Sequence, residues 1–385
     1  MPERKQGTGR QNRSQPQRVV VAMSGGVDSS VAAALLVREG YDVVGMMMRL
    51  WSEPGRGPQA PANRCCTPDQ MADARRVADQ LGIPFYVVDV QDYFRRSVVQ
   101  FFIDEHARGR TPNPCIECNR QIRFRFLLDR ALALDADYLA TGHYARVQKT
   151  GDRYHLLKAI DEQKDQSYVL HILSQKELAQ VLFPVGDYEK DEVRALADHF
   201  QLPVASKKES MDLCFLGDGD YRRFLRQHAP ETATPGPILT GNGRRLGEHD
   251  GLVFYTIGQR KGLGISTGTP MYVLYKDVGR NALIVGTRDQ LGQTEIVARQ
   301  VKWVSGEAPS KALPVEAKIR YKATPVEAQV EALSDDRVRV SFDEFVYGAT
   351  SGQGVVFYDG DECLGGGLIA DAETIIRSAA RIGGG

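Results

Sequence analysis

Hydrophobic positions along this chain change period repeatedly, and the changes mark out its elements. Arg18 to Met23 (RVVVAM) is a short valine-rich run, and at Ser24-Gly25-Gly26-Val27-Asp28-Ser29 the pattern switches from strand-like to helix-like. The helix expected through VAAALLVRE stops at Gly40, because glycine accepts the left-handed angles that end helices, and YDVVGMMM supplies a second buried strand. Thr67 before Pro68, with Gln70 three residues on, forms a capping box; the helix it opens places Met71, Ala74, Val77, Ala78 and Leu81 on one face and ends at Gly82. PFYVVDV reads as a third strand and ADYLATG as another, while 93–108, 122–134 and 178–200 read as helices. Strands alternating with helices predict an α/β fold, a doubly wound parallel sheet covered on both faces, over residues 18–214.

Farther along, the period shortens. Pro235 to Asp289 is rich in glycine and in short apolar runs such as GLVFYTIG, PMYVLYKD and NALIVG, which predicts a small strand-rich middle domain over residues 215–290. From Lys302 onward, VEAKIRY, VEAQVEAL, RVRVSF, GVVFYD and GGGLIAD alternate polar and apolar residues; this predicts a C-terminal antiparallel β-barrel over residues 291–378. Residues 1–17, with Arg4, Lys5, Arg10 and Arg13, are expected to form a flexible basic tail, and 379–385 a frayed end.

Length and composition sharpen this outline. A chain of 385 residues exceeds what one core organises, and its 42% hydrophobic and 25% charged residues are those of ordinary globular domains. Formal net charge is zero, so an anionic partner has to be met by a local basic patch. No run of about 18 apolar residues occurs, which argues against a membrane-spanning helix. The six cysteines follow no secretory signal and read as reduced thiols, so a cytoplasmic protein is expected.

The segment Ser24–Ser29 lies where a strand's carboxyl end meets a helix start, the place where open α/β sheets bind ligands and helix amides attract anions. Gly25 and Gly26 permit angles that turn several N–H groups toward one point, Ser24 and Ser29 add hydroxyls, and Asp28 can hold a phosphate-bound magnesium ion. The plainer alternative is a tight glycine turn. No G-x-x-x-x-G-K-S/T occurs and no G-x-G-x-x-G follows the first strand, which argues against kinase-like transfer and hydride transfer. SGGVDS resembles the PP-loop of the ATP pyrophosphatases, which cleave ATP to AMP and pyrophosphate while adenylating a substrate oxygen.

A second chemistry rests on thiols. TPNPCIECN, from Thr111 to Asn119, is a proline-stiffened loop entering a helix; it puts Cys118 close to a helix amino end, and Arg108, Arg110, Arg120, Arg123 and Arg125 also favour a thiolate there. Cys214, in KKESMDLCFLGD after Lys207 and Lys208, sits on a distant loop that a parallel sheet can bring to the same edge, so the two form a candidate redox couple. Burial as small hydrophobes is the alternative for both, and it is preferred for Cys65, Cys66 and Cys363.

Together, SGGVDS, TPNPCIECN, ATGHYAR, KDQSYVL, FPVG, CFLGD and GQRKGLGI resemble the tRNA-specific 2-thiouridylase family from about residue 18 to near residue 369. The resemblance implies ATP-dependent replacement of the C2 oxygen of a tRNA wobble uridine by sulfur, delivered by a cysteine desulfurase or sulfur-relay protein. It implies that Cys214 carries the persulfide and that Cys118 is the nucleophile, able to pair with Cys214 in a disulfide. On the side of ATP and Mg2+ it implies Ala22, Met23, Ser24, Gly25, Gly26, Val27, Asp28, Ser29, Met48 and Gly142. On the RNA side it implies Asn113, Pro114, Cys115, His143, Lys164, Asp165 and Gln166, with Arg320, Tyr321 and Gln353 from the barrel. Core packing for Met48, a structural role for His143 and a solvated loop at residues 164–166 are the plainer readings.

Two positions depart from the family pattern. Ala22 stands where glycine often opens the loop, and Cys115 stands where aspartate is frequent. The latter creates Cys115-x-x-Cys118, which with Cys214 offers three soft ligands for an iron–sulfur cluster, an alternative to the persulfide route. Two other functions remain open on the residues alone. A metabolite-adenylating synthetase would need the loop and neither cysteine, and a noncatalytic RNA-binding sulfur carrier would need neither Ser24 nor Asp28.

Overall fold

The structure, a computed structural model, describes residues 16–51, 53, 67–207, 213–216, 219–334 and 336–371. Expectations for residues 1–15, for Cys65 and Cys66, and for 379–385 lie outside the described residues.

The first domain is built on a parallel sheet. It contains β1 (Arg18–Ala22), β2 (Asp42–Arg49), β3 (Phe85–Asp89) and β4 (Tyr138–Thr141). After β4 the chain makes a hairpin, β5 (Arg146–Thr150) and β6 (Arg153–Leu157), and then returns to the parallel sheet as β7 (Val181–Leu182). The sheet order is β3-β2-β1-β4-β7. Val19, Val20 and Val21 are all fully buried, as a central strand covered on both faces requires, which is why β1 reads as an apolar run and not as an alternation. One apolar cluster lies between the sheet, α1 (Val27–Arg38) and α2 (Pro68–Leu81); a second covers the other face with Phe124, Leu127 and Leu128. The sheet is therefore doubly wound.

Local signals account for most ends. Thr67 Oγ1 accepts from the Gln70 amide, Gln70 Oε1 accepts from the Thr67 amide, and Gly82 ends α2 with φ +68°. The helix expected over 178–200 is broken. A turn of helix ends at Leu178, Val181–Leu182 pair with β4, and the helix proper spans Lys190–His199. Pro184 cannot continue a helical ladder, and a Cβ on Gly186 would fall 1.7 Å from the Ala145 carbonyl oxygen, so the chain must leave the helix there. The helix expected from Ile122 begins earlier, at Pro114, and runs through a π-helical stretch, Asn119–Leu127, to Leu132.

The middle region is a four-stranded sheet of β8 (Gly236–Thr240), β9 (Arg245–His249), β10 (Tyr272–Asp277) and β11 (Ala282–Gly286) in the order β10-β11-β8-β9. The last region comprises β12 (Gly292–Trp303), β13 (Leu313–Lys318), β14 (Val326–Ser334), β15 (Arg337–Tyr347), β16 (Gly354–Asp359) and β17 (Glu362–Ile369). Antiparallel pairing of β12 with β17 closes this barrel. The β5–β6 hairpin, which composition did not reveal, joins its outer edge through β17, so the nucleotide domain and the barrel share one sheet. Among the described residues no helix is long and apolar enough to cross a membrane.

Candidate active site

The loop after β1 is fixed by close approaches. Gly25 has φ +71°, and a Cβ there would lie 2.2 Å from the Gln70 carbonyl oxygen, so only glycine fits. A Cβ on Gly142, just past β4, would lie 2.7 Å from the Ser29 nitrogen; the start of α1 therefore rests directly on the neighbouring strand end. Met23 and Val27 are buried and anchor the loop at its two ends, Ala22 is half-buried, and Ser24 is exposed at the apex. Gly26 is the N-cap of α1 and has no side chain to satisfy the first amides. Ser29 Oγ accepts from the Ser24 amide at 3.1 Å and lies 3.2 Å from Ser24 Oγ, which gathers both hydroxyls beside those amides.

Two lysines flank this anion-seeking loop. Lys190 Nζ donates to Asp28 Oδ1 at 2.6 Å, and the Tyr144 hydroxyl donates to the same oxygen at 2.9 Å. Lys207 Nζ donates to the Gly25 carbonyl at 2.9 Å and to Asp73 Oδ2 at 2.6 Å. Against the upward push of burial, hydrogen bonds from Lys207 and Arg76 hold the Asp73 carboxyl below its ordinary range.

The thiols lie on other segments, Cys118 on the helix Pro114–Cys118 and Cys214 after Leu213. Asn113 caps the helix at Pro114, its Oδ1 accepting from the Cys115 amide at 3.0 Å. Cys118, expected close to a helix amino end, is the fifth residue from it, and the helix dipole fades by that depth. Its nearby charge comes from Arg123, whose guanidinium donates to Cys118 Sγ at 3.3 Å and to Asn119 Oδ1 at 3.1 Å. Cys118 is buried in a cluster with Phe94, Ile122 and Phe215, and Cys214 and Met48 pack against the same cluster. That cluster is broad: it also takes in Ile238, Leu283 and Val285 of the middle sheet, and Met48 packs against the cluster around Phe124 as well. Cys115 instead faces solvent. Among the described residues no three His, Cys, Asp or Glu side chains are gathered to hold a metal ion, so Cys115, Cys118 and Cys214 do not form a ready cluster site. Cys363 is fully buried, and burial pushes its thiol above the usual range, as suits a packing residue.

The residues expected on the RNA side divide into two groups. His143 is buried between Phe124 and Phe183, with centroids 5.9 and 6.1 Å away, and lies 2.7 Å from Thr141 Oγ1 through Nδ1. Burial, and then the charge of Arg123, pushes it down to about 3, so the ring is neutral near neutral pH. Asp165 is buried, accepting from the Ala159 and Ser167 amides and the Ser167 hydroxyl, and Gln166 accepts from the Tyr144 amide. These two side chains shape their loop from within, and the Lys164 amide donates to Asp161 in the same turn. The barrel residues lie nearer the surface. Gln353 Nε2 donates to the Thr111 carbonyl at 2.7 Å, Tyr321 meets Tyr168 edge-on at 5.9 Å, and Arg320 is exposed.

Comparison with known proteins decides the family. A family model described as a tRNA methyl transferase HUP domain matches residues 17–218, with a PRC-barrel model of the same series on 222–287 and an aminomethyltransferase beta-barrel model on 293–369. A tRNA-specific 2-thiouridylase MnmA from Roseiflexus castenholzii is 50% identical over 369 residues, covering 92% of this chain and 99% of the relative. This chain belongs to the tRNA-specific 2-thiouridylase family. Relatives of the same name from Chloroflexus aggregans and Symbiobacterium thermophilum are each 48% identical over 92% of this chain, covering 99% and 93% of their own lengths.

Within this thiouridylase frame, Lys190 and Tyr144 are the site residues that sequence reasoning missed. A signal existed for the lysine. Lys190 opens a helix after its Glu189 cap, where the helix dipole disfavours a cation, so its placement there needs another reason. The reason is Asp28, 162 residues earlier in the chain.

Proposed function

We propose that this thiouridylase-family chain adenylates the C2 oxygen of the wobble uridine in tRNA with ATP, then replaces that oxygen with sulfur carried by Cys214. A carbonyl oxygen is a very poor leaving group, whereas an AMP ester departs readily. The C2 oxygen attacks the α-phosphorus, the bond to the β-phosphate breaks, and pyrophosphate is left on the Gly25–Gly26 loop. The terminal persulfide sulfur of Cys214 adds to C2, and AMP leaves with the former carbonyl oxygen. The Cys118 thiolate then attacks the Cys214 sulfur, which frees the thiolated base and leaves a disulfide for an external thiol to reduce. Met48 would pack beside the adenine, and Cys115, with Asn113 and Pro114, would face the entering base.

The residues around the loop fit this role. Ser24 and Ser29 would exchange their mutual contact for phosphate oxygens, and Lys190 and Lys207 would balance the charge of the departing diphosphate. Asp28 offers hard carboxylate oxygen beside the glycine amides, so it is the residue that would hold Mg2+; when bound, the ion neutralises developing phosphate charge. The observation that supports the proposal is the loop itself, with Gly25 held at φ +71° against Gln70, the Ser24 and Ser29 hydroxyls 3.2 Å apart, and Lys190 on Asp28, while Cys118 and Cys214 share one apolar cluster.

The experiment is to incubate the protein with unmodified tRNA, ATP, magnesium and a cysteine desulfurase with cysteine, and to detect 2-thiouridine by mass spectrometry. Cys118→Ser and Cys214→Ser should each abolish product. Unchanged product from both would remove the cysteine mechanism, and adenylation of a small acid without tRNA would favour a metabolite synthetase.

A further inference from the structure

The exposed rings of the barrel are grouped. Phe345 and Tyr347, at the end of β15, are 62% and 37% exposed, while Val346 between them is buried in the barrel core. Tyr347 stands opposite Gly292 on β12, and a Cβ there would lie 3.0 Å from Phe345 and 3.3 Å from Tyr347. Both rings therefore flank one glycine that leaves them uncovered. The Arg288 guanidinium lies over the Tyr347 ring, 4.9 Å from its centroid, and the exposed Arg320 donates to the Tyr347 carbonyl at 2.9 Å. Next in the chain is Tyr321, which meets Tyr168 edge-on at 5.9 Å.

Two adjacent exposed aromatics with a planar cation mark a contact surface. Their chemistry suits an unpaired nucleobase, which presents a flat π-face to rings and guanidinium groups alike. Asp343 and Glu344 precede the rings, so the patch is no phosphate track and its contribution must come from stacking. We propose that Phe345, Tyr347 and Arg288 form a stacking shelf for an unpaired base of the tRNA substrate other than the reacting uridine. The proposal rests on the tRNA-thiolation reading and names how the barrel grips the same RNA.

The test compares wild type with Phe345→Ala/Tyr347→Ala in tRNA binding by fluorescence anisotropy and in steady-state thiolation. The double variant should raise Kd and KM for tRNA about tenfold to a hundredfold, with kcat at saturating tRNA and the KM for ATP unchanged. Phe345→Trp and Tyr347→Phe should stay near wild type, because a ring remains. The aromatic losses should leave the salt dependence of binding intact. Unchanged tRNA affinity in the double variant overturns the shelf, as does a rise confined to the KM for the sulfur-donor protein, which would make the patch a protein contact. Anisotropy reads the shelf even if the wild type made no thiouridine, an outcome that would sink the parent reading instead.

Discussion

The loop at Ser24–Ser29 and the segment at Thr111–Cys118 are held from different directions. The first is fixed by its own domain: Gln70 crowds Gly25, Ser29 rests on Gly142, and Lys190 and Lys207 reach it from within the first domain. The second is tied to the barrel as well. The Thr111 amide donates to the Ser351 carbonyl at 2.9 Å, Gln353 donates to the Thr111 carbonyl, and Arg110 pairs with Asp371 just past β17 at 2.8 Å, although also with Glu105 of its own domain at 2.9 Å. The difference teaches that the two loops can be disturbed separately, and on the proposed mechanism that separates the nucleotide step from the thiol step.

Gly142→Val should break the comparison on the nucleotide side. The added side chain meets the backbone of α1, and an ångström of displacement in a reacting group is enough for about a hundredfold loss. AMP formation should fall by at least that much, while alkylation of Cys118 by iodoacetamide proceeds at the wild-type rate. Equal losses in both assays would contradict separate anchoring.

Lys190→Met removes a buried cation from beside the loop, where preorganised charge typically contributes about a hundredfold to rate. tRNA-dependent AMP release should fall on that order, with tRNA affinity by anisotropy unchanged. A variant that lost tRNA affinity instead would place Lys190 on the RNA side.

The pH profile sharpens the picture further. Burial pushes His143 and His106 down to about 3 and His171 to about 4, each with burial as the main cause. Folding holds these rings neutral, and the unfolded chain takes up their protons below about 6.5. Their contribution to stability is thus complete above that pH and is lost as pH falls toward 3 to 4. The melting temperature should decline through this window, and His143→Gln should flatten the decline. A profile unaffected by that substitution would contradict its neutral, buried state.

Gln353→Ala should have the smallest effect. It deletes one hydrogen bond between barrel and cysteine loop, about 1 kcal/mol of stability. Thiouridine formation should slow several-fold, with AMP formation and the KM for ATP unchanged; a slowed AMP step would show that the barrel also supports the nucleotide loop.

The two regions also differed in how far the sequence disclosed them. The loop was legible because its requirement is local: a valine run, two glycines and a helix start stand within a dozen residues. The capping box at Thr67 was legible for the same reason. Apolar spacing on both sides of Pro184 is compatible with a helix, and it is the pairing of Val181–Leu182 with β4, a contact distant in sequence, that makes β7 a strand. Lys190 and the β5–β6 hairpin stayed hidden because their partners, Asp28 and β17, lie 162 residues away and at the far end of the chain. Residues 164–166 were quotable as a motif, yet only the structure shows that Asp165 and Gln166 turn inward.

The central claim is that the uridine oxygen leaves as part of AMP. Unmodified tRNA carrying oxygen-18 at C2 of the wobble uridine, turned over once with ATP, magnesium and sulfur donor, tests it directly by mass spectrometry of the nucleotide. The account predicts one oxygen-18 in the phosphate of AMP for each thiouridine formed. Oxygen-18 recovered in water or in pyrophosphate, with unlabelled AMP, would contradict it.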